Sequence, residues 1–220
     1  MEVSWLWFVV PALVMGCYVL PVLILCLSGL KLHLHKEAAA VELFRGLLSS
    51  GAIDPQWLRD SGFSPLGAYH LGDATGRSSV VWKRTGERTY LSVVLNGGEF
   101  SSLEFFSAFE SGGLSTGSRI LQVLPVAPGR WVQSFSLNDP REVWKRHLQG
   151  LEYLRNASGK EPSVSEVTIL DEFQSILDDS FRYITSLRFW YLRTAYWPIV
   201  RPCWQHGKTV SEQAARRHDV

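Results

Sequence analysis

Cysteine is scarce in this chain: three in 220 residues, and two of them, Cys17 and Cys26, fall inside an uncharged apolar stretch. Only Cys203 is left for everything else, so the remainder can close no internal disulfide and suits a reducing compartment. Neither sign of charge dominates, with 22 Lys and Arg against 21 Asp and Glu. A net charge of +1 supplies no basic field for phosphates, and nucleic acid is not an expected partner. Cofactor chemistry leaves no trace either: there is no Walker loop, dinucleotide-binding glycine pattern, paired CxxC or haem attachment motif. His33 and His35 lie close together but have no third ligand near in sequence, so neither a metal nor a cofactor is expected. Internal repeats and low-complexity tracts are also missing.

Charge is absent altogether from Trp5 to Leu30, and Lys31 closes that run. A hydrocarbon core of roughly 30 Å needs about 20 apolar residues in helical form, which this stretch exceeds. Pro11 and Pro21 inside it bend a membrane helix without forbidding it. A cleaved signal peptide fits less well, because Met1 to Ser4 carry no Lys or Arg and the apolar run is too long. Lys31, Lys36 and Arg45 follow the run, whereas Glu2 precedes it. The positive-inside rule then puts the amino terminus outside and residues 31–220 in the cytoplasm. The expected partner of residues 5–30 is the lipid bilayer.

The expected organisation is a transmembrane anchor over 1–30, a juxtamembrane stalk helix over 31–50, an α+β domain over 51–204 and a polar tail over 205–220. The stalk rests on three consecutive alanines and the spacing of Val41, Phe44, Leu47 and Leu48. Asp54-Pro55 reads as a cap and first helical position of a short helix. From Leu66 to about Val123, strand-like runs alternate with turns, Asn96-Gly97-Gly98 being a hairpin signal. These imply a small antiparallel sheet of roughly four to five strands backed by two or more helices. One covering helix starts at Asp139-Pro140 and runs past Leu154. A second, longer one is expected over about 164–197, with Ile169, Leu170, Phe173, Ile176, Leu177 and Ile184 on its apolar stripe and Glu172 on its polar face.

That last helix changes character along its length. Glu161 to Asp179 carries acids and no base, whereas Arg182 to Arg201 carries arginines and no acid. Helix polarity accounts for part of this. Aromatics interleave with the arginines, giving a candidate binding surface of Arg182, Arg188, Phe189 and Trp190, continued by Arg193, Tyr196, Trp197 and Arg201. Trp, Tyr and Arg are common interface anchors, and arginine with tryptophan also suits an anionic headgroup layer. A membrane protein partner or an anionic lipid surface is therefore expected there.

Catalytic candidates are few. Gly113-Leu114-Ser115-Thr116-Gly117 matches the G-x-S-x-G pattern of serine hydrolases, with His147 or His206 as possible bases. The motif follows a hairpin-like turn rather than entering a helix, and His147 falls on the apolar face of its helix, where a hydrogen-bonded core histidine is the plain reading. The sequence favours a non-catalytic, membrane-anchored binding module. The alternatives are a membrane-tethered serine hydrolase acting on a lipid or envelope precursor, and a small-molecule sensor with a cavity between sheet and helices.

Overall fold

The computed structural model describes residue 16 and residues 32–71, 77–119, 126–164, 168–190 and 206–217. The expected span of 5–30 lies outside these apart from Gly16, and no described helix is long and apolar enough to cross a membrane. The described chain is α+β, built on a mixed sheet of seven strands rather than a small antiparallel one. Its elements are β1 (Leu32–Leu34), α1 (Glu37–Ser49), α2 (Pro55–Asp60), β2 (Phe63–Leu71), β3 (Arg77–Arg84) and β4 (Thr89–Asn96). They continue with β5 (Glu99–Ala108), β6 (Gly113–Gly117), β7 (Arg130–Ser134), α3 (Pro140–Ser158), α4 (Ile169–Ser186) and α5 (Val210–Arg217). The strands lie in sequence order, and every pair is antiparallel except β6 with β7.

Two additions enlarge the sheet. The strand-like texture expected to reach about Val123 gives a strand that stops at Gly117, and Ser118 to Gly129 supply the length a parallel return needs. The stalk expected from Lys31 is corrected as well. Leu32–Leu34 is an edge strand paired Leu32 with Leu71, His33 with His70 and Leu34 with Tyr69, and the helix begins only at Glu37. Pairing gives partners to backbone groups that an open β2 edge would leave to water. Side chains reinforce it: the His33 and His70 rings stack at 5.1 Å, and His35 Nε2 lies 3.0 Å from Ser78 Oγ.

The hairpin between β4 and β5 closes at Asn96 and Glu99, so its two central residues are Gly97 and Gly98, at φ 59° and 89°. Positive φ at both positions is the demand of the primed turn that matches strand twist, and two glycines meet it without a Cβ clash.

Period-two alternation splits the sheet into two faces. Leu103, Phe105 and Ser107 of β5 point to the first, where α1, α2 and α3 cover Val80, Trp82, Leu91 and Val93. Glu104, Phe106 and Ala108 point to the second, covered by α4 through Phe173 and Ile176. Both caps read from the sequence are made: Asp54 accepts from Gln56 N and Asp139 from Arg141 N.

The long helix of 164–197 is shorter than expected. Thr168 caps it, and it ends at Ser186 with Leu187 extended at ψ 133° and Phe189 left-handed at φ 55°. Hydroxyls in its last turns explain the stop. Thr185 bonds back to the Phe181 and Arg182 carbonyls and Ser186 to that of Tyr183, competing with the helical ladder.

Candidate functional site

Two places on this frame carry polar groups that the core does not simply absorb. The first is the layer between α3 and the first sheet face. His147 is fully buried, with Nε2 2.9 Å from Ser107 Oγ and Nδ1 2.9 Å from Thr116 Oγ1. Ser107 in turn meets Thr89 at 2.7 Å, and Gln133 Nε2 donates to Thr116 Oγ1 at 2.8 Å. Gln133 Oε1 accepts from Val210 N at 3.2 Å, so α3, β6, β7 and α5 are tied by one buried network. Burial pushes the His147 pKa down to about 3, with Arg84 adding to the effect, so the ring is neutral. A neutral imidazole with one donor and one acceptor, both engaged, is a structural bolt.

Ser115 lies on the other side of the sheet. It alternates with Thr116 along β6, and its hydroxyl hydrogen-bonds the Glu104 carboxylate on the second face. His206 is elsewhere again, with Nε2 2.9 Å from Ser136 Oγ just past β7. Three residues that the G-x-S-x-G reading would assemble are thus spread over separate environments. No nucleophile and base pair forms among them, which is the arrangement nucleophilic catalysis needs.

The second place is a cavity of about 280 Å³ between the second sheet face and α4. Its walls are apolar: Val81, Val94 and Phe106 from the sheet, Phe173, Ile176 and Leu177 from the helix. Its polar groups sit on neighbouring strands. Ser79 and Ser92 share a hydrogen bond at 2.7 Å, Ser92 is the register partner of Glu104, and Ser115 holds Glu104 from β6. Loss of water around Glu104 pushes its pKa up, and the Ser115 hydroxyl pulls partly against that. Among the described residues, no basic side chain forms a salt bridge with Glu104. Of its aromatic walls, Phe173 lies 6.0 Å from Phe106 and also packs 5.9 Å from Tyr90 behind the cavity, ring centre to ring centre.

Glu172 holds α4 over this cavity and was expected on the polar face. It is buried instead, accepting from Arg88 Nε at 2.9 Å and Nη2 at 2.5 Å, and from the Tyr90 hydroxyl at 2.5 Å. The Tyr90 pKa is raised, first by burial and then by this carboxylate, while the Arg88 pKa is raised by its hydrogen bond to Glu172. Arg130 fixes the middle of the helix, donating to the Ile176 carbonyl at 3.2 Å and lying 3.7 Å from Asp179.

Beyond the cavity, α4 delivers part of the arginine-aromatic surface. Arg182 is exposed and lies 3.2 Å from Asp179, a pair of little energetic weight in water. Arg188 is exposed, and its guanidinium lies 5.1 Å from the centre of the Phe189 ring, which is 52% exposed. Trp190 is half-buried. Arg193, Tyr196, Trp197 and Arg201 lie outside the described residues.

Comparison with protein-family models, curated proteins and solved structures finds no match. Sequence reasoning missed Glu104 and Glu172. For Glu104 a signal existed: it sits between Leu103 and Phe105 on a strand whose two faces are both apolar. For Glu172 there was none, since a buried, partnered acid has the same helical spacing as a solvated one.

Proposed function

We propose that this chain is a membrane-tethered binding module. Residues 5–30 form a single transmembrane helix, with the amino terminus outside and the α+β domain in the cytoplasm. The domain works by contact rather than catalysis. The observation that carries the reading lies just past the end of α4, where Phe189 is left-handed and about half exposed with the Arg188 guanidinium over its ring. Left-handed geometry is uncommon for a bulky residue, and exposed aromatics flanked by arginine fit a protein interface or an anionic headgroup layer. Joining of the domain directly to the apolar run adds support. The sheet begins at Leu32 and α4 packs against that first strand, which supports a domain seated close to the end of the proposed tether.

Replacing Trp190 and Trp197 together by Ala is the test. Recovery of membrane complexes from mild detergent should fall several-fold while the thermal melt of the domain stays within a few degrees of wild type. A collapsed melt with unchanged recovery means that these tryptophans are core and removes the surface from the proposal. Small-molecule binding is the second reading, and the cavity beneath α4 favours it. A serine hydrolase draws no support from Ser115, which faces Glu104 instead of a histidine.

A further inference from the structure

We infer that the cavity between the second sheet face and α4 is a binding site for a small organic amine, in which Glu104 takes the ammonium and the aromatic wall takes the apolar body. This rests on the small-molecule reading of the cavity and does not need the tether. Size sets the first limit. About 280 Å³ is at the small end of ligand sites, which leaves room for one ring or a short branched chain.

Charge sets the second. A carboxylate set among Val81, Val94, Phe106 and Ile176, with one hydroxyl as its partner, is incompletely solvated. Protein cations nearby are engaged elsewhere: Arg88 is held by Glu172 and Arg130 by Asp179 and the Ile176 carbonyl. A ligand ammonium would supply the missing charge through a charge-assisted hydrogen bond. Phe106 and Phe173 would present π faces to the same cation or stack on a ligand ring. An anionic ligand would face Glu104 with like charge, and a purely apolar one would cover this half-buried carboxylate with hydrocarbon and give it no partner. Burial raises the Glu104 pKa, so binding of the cation would be linked to loss of the Glu104 proton and would draw that pKa back down.

The full chain in a non-ionic detergent, titrated calorimetrically with 2-phenylethylamine, 2-phenylethanol and 3-phenylpropionate, tests the inference. The amine should bind about tenfold or more tighter than the alcohol, with the acid not binding. Its affinity should weaken as pH falls and Glu104 takes up a proton. Glu104→Gln should erase the preference for amine over alcohol, and Leu177→Trp, which fills the cavity from the helix side, should abolish both. Equal binding of amine and alcohol overturns the cation assignment while leaving a ligand cavity. Failure of all three compounds to saturate, or an amine affinity untouched by both variants, overturns the cavity reading as well.

Discussion

His147 fills the space under α3 only as a neutral ring, because both nitrogens already meet hydroxyls and water is excluded. The unfolded chain takes a proton at the ordinary value of 6.5, whereas the folded one resists until about 3. Between those values the unfolded state binds more protons, so folding stability is complete above 6.5 and falls as pH drops toward 3. The slope from this one group is at most about 1.4 kcal/mol per pH unit. Urea midpoints measured at pH 7 and pH 5 should therefore differ clearly in the wild type. In His147→Gln the difference should shrink, at the expense of a lower midpoint at pH 7. An unchanged pH dependence in the variant would show that His147 is not the group that titrates.

At the level of elements, local chemistry was the legible part. Asp54-Pro55 and Asp139-Pro140 announce their helices because a cap and its proline act within one turn. The alternation of β5 was equally readable, since Phe105 and Phe106 must face opposite ways in any strand. What failed depended on partners distant in sequence. Leu32–Leu34 is a strand only because β2 offers it an edge, and β7 is recruited only once the chain has returned beside β6. Glu172 is buried because Arg88 and Tyr90 wait for it more than 80 positions earlier, as the 84- and 82-residue separations record. Gly150 is another such residue. Mid-helix, it reads as a weakness, yet a Cβ there would meet Gln133 Nε2 at 2.9 Å, Leu114 Cδ2 at 2.9 Å and Val210 Cγ2 at 3.2 Å. Helix propensity alone favours alanine over glycine by about 1 kcal/mol. Overpacking of this contact should outweigh that gain, so Gly150→Ala is expected to destabilise by about 1–3 kcal/mol in denaturant unfolding. A stabilised variant would mean that α3 can lift from β6 and α5 at little expense.

Across the whole molecule, the tether and the sheet are one mechanical unit if residues 5–30 cross the bilayer. One residue, Lys31, separates Leu30 from the first strand, and a single extended residue reaches only about 3.5 Å. The domain would then have little room to swing, and α4, which packs against β1, would stay close to the bilayer surface; the proposed contact surface requires Phe189 to reach the headgroups. A flexible insert at this junction separates tethering from contact. Twelve Gly and Ser residues placed after Leu30 span about 20 Å on average, enough to let the domain drift away. The full chain, carrying a fluorophore on Phe189→Cys with Cys17, Cys26 and Cys203 changed to Ser, would be reconstituted with spin-labelled headgroup lipid. Quenching should be strong at the native junction and fall several-fold with the insert, while both proteins resist alkaline extraction. Equal quenching in the two would mean that the α4 end holds the membrane by its own affinity. Extraction of the native chain would remove the anchor, and with it the reason for the surface to lie where lipid can reach it.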